Sequence, residues 1–103
     1  MSKPITVYVD VDDTLVRTVS GTVIPIPSVV RKVKALYESG AMLYCWSAGG
    51  AEYAQSIAER LGITECFHEF LPKPTMLLEV QTPLDWPLLK LVHPAECDNT
   101  TDV

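Results

Sequence analysis

The feature that most constrains this chain is the run Ile5-Thr6-Val7-Tyr8-Val9-Asp10-Val11-Asp12-Asp13-Thr14-Leu15. From Ile5 to Val11 the residues are mostly β-branched or aromatic, with little polar interruption, which predicts a strand covered on both faces at the centre of a parallel sheet. The run then ends in Asp10, Asp12, Asp13 and the hydroxyl of Thr14. In open α/β sheets reactive groups gather beyond the carboxyl ends of the strands, where these residues fall. Side chains two apart on extended chain share a face, so Asp10 and Asp12 converge if the backbone stays extended. Two such carboxylates repel unless a cation or donor compensates. Oxygen ligands without matching histidines point to magnesium rather than zinc or copper. The plainer reading of the same residues is an acidic strand end that opens a turn.

A length of 103 residues fits one domain, and 48% hydrophobic with 20% charged residues supplies a core and excludes disorder as the default. The net charge of −5 disfavours a nucleic-acid partner without excluding it. Cys45, Cys66 and Cys97 are odd in number and lack C-x-x-C spacing, so neither a disulfide framework nor a zinc site is indicated. His68 and His93 stand alone and read as surface or strand-end residues. No basic segment precedes a hydrophobic one, and no apolar run approaches about 18 residues, so neither signal peptide nor membrane span is expected. A soluble cytoplasmic protein is the expectation.

After Thr14, two β-prone runs join at Ser20-Gly21, a hairpin signal. The hairpin is either a flap over the carboxylates, with Arg17 as its only cation, or a plain surface hairpin. Pro25 and Pro27 prevent helix before Ser28. Beyond Ser28 the residues Val29, Val30, Val33, Leu36 and Tyr37 share one helical face, with Ser28 as N-cap, Gly40 as the stop, and Arg31, Lys32, Lys34 and Glu38 facing solvent. Residues 41–46 form a second buried strand that closes in Ser47-Ala48-Gly49-Gly50. Strand, helix, strand makes a right-handed crossover. Residues 52–61 form a second helix, with Ala51, Ala54, Ile57, Ala58 and Leu61 inward and Gly62 ending it. Its start lies beside Ser47, which either joins free backbone amides in an anion site or simply caps the helix. Residues 66–71 read as a third strand, followed by Pro72-Lys73-Pro74, where Lys73 is either aimed at a target or held in a rigid turn. Residues 76–80 read as a short strand ending in an acid, residues 88–92 as an edge strand, and residues 95–103 as a flexible tail.

In order and residue type, this constellation resembles the haloacid dehalogenase superfamily of phosphatases and phosphotransferases, over residues 5–92. The family's Asp-x-Asp-x-Thr after a buried strand is matched by Asp10, Asp12 and Thr14; its strand-ending Ser or Thr by Ser47; its lysine by Lys73. The fourth motif, commonly a pair of aspartates, aligns with Glu79-Val80, which is a departure. The resemblance implies one Rossmann-like α/β domain of three layers over residues 1–103, with a mainly parallel sheet of about five strands, a hairpin flap after the first strand and no cap domain. It implies a magnesium-dependent phosphomonoesterase. Asp10 attacks phosphorus to form an aspartyl-phosphate, and Asp12 protonates the leaving oxygen and later activates water. Thr14, Ser47 and Lys73 bind the phosphoryl group, and Asp10, Asp12 and Glu79 hold the metal.

A single carboxylate at the fourth motif implies weak metal affinity, with Asp85 as a substitute if the following turn folds back. It sets a second reading beside the enzyme: a catalytically impaired relative that binds phosphate or a partner through the same pocket. A third is a metal-free structural domain or subunit of a complex. Without a cap the open site suits a large phosphorylated substrate, or needs a partner subunit such as a second copy to close it. The acidic surface favours a phosphoprotein or small phosphate ester over nucleic acid.

Overall fold

The computed structural model describes residues 4–98. In chain order its elements are β1 (Thr6–Asp10), β2 (Val16–Val19), β3 (Thr22–Pro25), α1 (Pro27–Glu38), β4 (Met42–Ser47), α2 (Ala51–Leu61) and β5 (Glu69–Pro72). A single 3-10 turn at Thr64–Cys66 lies between α2 and β5, and two more follow β5 at Pro83–Asp85 and Pro94–Glu96. Strands β1, β4 and β5 form a parallel sheet in that spatial order, and β2 with β3 forms a separate antiparallel hairpin. No cap domain is inserted among the described residues.

The two crossovers, β1 to β4 through α1 and β4 to β5 through α2, step in the same direction. Right-handed connections then put both helices on one face of the sheet. The burial follows. Val9, Leu43 and Cys45 point to that face and pack with Val29, Val33 and Leu36 of α1 and Ala54, Ile57 and Ala58 of α2. The alternate residues of β1 and β4 form the opposite face. There Tyr8, Tyr44 and Trp46 cluster, with Tyr8 stacked on Tyr44 at 5.1 Å and edge-on to Trp46 at 4.8 Å between centroids, and Tyr8 remains 48% exposed. Exposed His68 meets the Tyr44 ring edge-on.

Several expectations are corrected here. The first strand lies at the edge of its sheet, with β4 as its one partner, rather than at the centre. Residues 76–80 and 88–92, expected as strands, carry no strand structure, so the sheet has three strands and not about five. Their side chains are left in solvent, Leu78 at 90%, Val80 at 99% and Leu88 at 96% exposure, and an apolar run needs a partner surface before it is a strand. Since the chain beyond β5 makes no helix longer than a 3-10 turn, the described residues form two layers instead of three. The third strand is displaced too, because residues 64–66 coil into a 3-10 turn and β5 starts only at Glu69.

Helix α1 starts at Pro27, with Ile26 and not Ser28 at the N-cap position and no side-chain capping bond. Proline suits a first helical position, where its missing N–H has no partner to lose. Helix α2 stops at Gly62, whose left-handed φ of 71° turns the next N–H, that of Ile63, back to the Ala58 carbonyl at 3.0 Å. The hairpin turn Ser20-Gly21 has positive φ at both positions, as a two-residue connection between twisted strands requires. Leu15 and Val16 at the hairpin's root are fully buried, and Val16, Val23 and Pro25 line a cavity of about 190 Å³ with Ile57, Arg60 and Leu61 of α2. The hairpin thus leans on α2. Residues 95–98 are not a free tail either: the Pro94–Glu96 turn packs beside α1, and Arg31 pairs with Asp98 at 2.8 Å. Residues 99–103, the rest of the expected tail, lie outside the described residues. No helix among the described residues is long and apolar enough to cross a membrane.

Candidate active site

The carboxyl ends of β1, β4 and β5 lie side by side, because parallel strands in register finish together. Asp10 ends β1 opposite Trp46, and Ser47 ends β4 opposite Pro72, with Lys73 the next residue of the chain. Three residues separated by 37 and 26 positions in the chain therefore meet at one edge. Lys73 Nζ stands 3.8 Å from Asp10 Oδ1, an ion pair with both partners partly open to solvent. The Lys73 backbone N–H donates to the Ser47 carbonyl at 2.8 Å, which fixes where the lysine leaves the sheet.

Past Asp10 the chain turns tightly. The N–H groups of Thr14, Leu15 and Val16 all point to the Val11 carbonyl, at 3.1, 2.9 and 3.2 Å. Asp13 takes a left-handed φ of 62° and donates its N–H to Val16 at 2.7 Å. Aspartate tolerates that conformation better than β-branched residues do. The turn buries Val11, leaves Thr14 half-buried and sets Asp12 and Asp13 outward. Asp12 does not stay on an extended strand beside Asp10, as the sequence suggested. It lies beyond the strand end and finds its own partner: Tyr53 donates its hydroxyl to Asp12 Oδ1 at 2.7 Å.

Ser47 is buried, and its Oγ accepts the N–H of Gly49 at 2.9 Å. It therefore shapes the turn into α2 and does not cap the helix, a place taken by Gly50 at φ 105°. Its hydroxyl proton remains for another acceptor. The first-turn amides of α2 have no intrahelical acceptor, so with the Ser47 hydroxyl they are donors that an anion could accept.

No family model, curated protein or solved structure matches this chain. The chemistry at this edge is read from its own residues.

Glu79 and Asp85 do not join the cluster. Glu79 accepts its own neighbour's N–H, that of Val80, at 3.2 Å, and Asp85 accepts the Thr82 hydroxyl at 3.4 Å within its own 3-10 turn. Among the described residues no three His, Cys, Asp or Glu side chains gather as a metal site. The donor chemistry that remains nevertheless fits magnesium, which is commonly held by one or two carboxylates with water and phosphate oxygens completing the shell. The Asp10 carboxylate and the Asp12 backbone carbonyl are the groups that would hold it. No soft ligand competes, since Cys45, on the strand beside Asp10, is pushed up to about 12 by burial and then by the Asp10 charge, and stays a thiol.

Tyr53 is the site residue the sequence reading missed. Its hydrogen bond to Asp12, and secondarily its burial, raise the phenol above its ordinary value. Its ring lies over Gly49, where an added Cβ would stand 3.0 Å from the ring. One signal was available: helical side chains lean toward the helix N-terminus, so a long polar-tipped residue in the first turn of α2 reaches back to the strand ends.

Proposed function

We propose that this protein is a capless, magnesium-dependent phosphomonoester hydrolase of the haloacid dehalogenase type, acting through Asp10. The observation that carries the reading is the Lys73–Asp10 pair at 3.8 Å, which joins the first and third motifs across the β1, β4 and β5 strand ends, beside buried Ser47.

Magnesium held by the Asp10 carboxylate and the Asp12 backbone carbonyl would neutralise charge on the phosphate and the nucleophile together. The remaining chemistry belongs to the chain. Asp10 Oδ bonds to phosphorus as the ester P–O bond breaks, and Asp12, as the acid, delivers its proton to the departing oxygen. Asp12, now a carboxylate, takes a proton from water as the water oxygen bonds to phosphorus and the Asp10–phosphorus bond breaks. Alcohol and phosphate leave, and both aspartates return to their starting forms. Lys73, Ser47 and the α2 amides offset the phosphoryl charge. The open edge and the net charge of −5 favour a phosphoprotein or a small phosphate ester as substrate.

The finer fold belongs to the same reading. The backbone of β1 has a free edge, and residues 76–80 are an apolar run in solvent. Pairing of that run would lengthen the sheet toward the five-strand Rossmann-like arrangement and carry Glu79 to the catalytic edge.

A second reading, a catalytically idle relative that binds phosphate or a partner, is favoured by the separation of Glu79 from Asp10 and Asp12. One assay separates the two. Phosphate release from small phosphomonoesters is expected with magnesium, is expected to stop without it, and is expected to fall at least about 100-fold in Asp10→Asn, the usual scale for loss of a chemical group at a reacting centre. Equal release by the mutant would sink the nucleophile assignment. No release by either protein, with phosphate still bound in calorimetry, would establish the second reading.

A further inference from the structure

We propose that Tyr53 is a positioning residue for Asp12, holding that carboxyl in one orientation through both halves of the reaction. The inference rests on the assignment of Asp12 as acid and base made above.

The geometry is specific. The 2.7 Å bond engages Oδ1 alone and leaves Oδ2 to exchange protons with the leaving group and with water. A tyrosine hydroxyl can donate to Oδ1 whether Oδ2 carries a proton or not, since the carbonyl oxygen of a carboxylic acid remains an acceptor. The same bond therefore survives the transfer of the Asp12 proton to the departing alkoxide and its recovery from water. Asp12 is exposed beyond its strand end, on a turn that fixes its backbone, and an exposed carboxyl otherwise samples several rotamers. Tyr53 in turn is set by the first turn of α2 and by contact with Gly49, the residue that also donates to Ser47. The phosphate-binding turn and the acid–base group are thereby fixed to one helix end.

The test uses Tyr53→Phe, which keeps the ring over Gly49 and removes only the hydroxyl. Wild type, Tyr53→Phe and Asp10→Asn are compared with magnesium on p-nitrophenyl phosphate, whose leaving group departs without a proton, and on glycerol phosphate, whose alkoxide needs one. The ratio kcat/KM reports the steps through loss of the leaving group. Tyr53→Phe is expected to lower kcat/KM at least about 10-fold on glycerol phosphate and less than about 2-fold on p-nitrophenyl phosphate, a part of the 10²–10⁴ range of general acid catalysis. Equal losses on both substrates, or no loss on either, would overturn the positioning role while Asp10-dependent release by wild type left the hydrolase reading intact. No release by wild type would overturn both.

Discussion

Cys45 shows how one side chain ties the core to the edge that carries Asp10. It is fully buried in the strand beside Asp10, and burial first, then the Asp10 charge, push its thiol up to about 12 from an ordinary 9.0. With its folded-state pKa raised, the neutral form is favoured in the fold. The stability this supplies is complete below about pH 9 and is lost as the pH rises toward about 12, because the unfolded thiol ionises first. Urea midpoints are therefore expected to fall from pH 9 to 11 in wild type and to fall less steeply in Cys45→Ala; parallel slopes would deny the thiol this role. At the same scale, the gathering of Asp10, Ser47 and Lys73 at one edge was legible because strand ends in a parallel sheet finish together. Tyr53 was not, since nothing in an amphipathic helical pattern separates a residue that packs from one that reaches back over the helix start. The place of Asp12 was half legible: its type was, but its departure from the strand follows from a turn closed by the Val11 carbonyl and the left-handed Asp13.

Among the elements, those with local signals were readable. The hairpin follows from Ser20-Gly21, and α1 and α2 follow from their apolar periodicity, with ends one or two residues from those expected. The Gly62 stop gives a direct check on α2. An alanine there meets open space but must adopt φ 71°, so Gly62→Ala is expected to destabilise the fold by about 1 kcal/mol, seen as a lower Tm with the circular dichroism of the folded state unchanged. An unchanged or raised Tm would place the helix end elsewhere. Strands after β5 were over-read for a physical reason. Strand propensity reports fit to a half-buried pleated surface, and residues 76–80 have the side chains without the surface.

For the whole molecule the decisive fact is asymmetry. Among the described residues both helices cover one face of a three-stranded sheet, β1 keeps a free edge, and Tyr8, Tyr44 and Trp46 face away from the core. A single sequence announces that a strand is apolar on both faces but not whether the chain supplies a layer for each. Amide exchange tests the proposed sheet extension directly. In magnesium and phosphate, residues 76–80 are expected to exchange at least about 10-fold slower than unstructured chain, since pairing ties their N–H groups into a ladder. Exchange at the unstructured rate would keep the sheet at three strands.

The pairing of Asp10 with Trp46 sets a natural fluorophore on the strand beside the proposed nucleophile. Their backbones are neighbours across the sheet, about 4.8 Å apart, with both side chains on the same face, and indole emission responds to nearby charge. The chain has two tryptophans, so Trp86→Phe leaves Trp46 as the sole emitter. Its fluorescence is then expected to follow the proposed phosphorylation and dephosphorylation of Asp10 in real time, with no label attached.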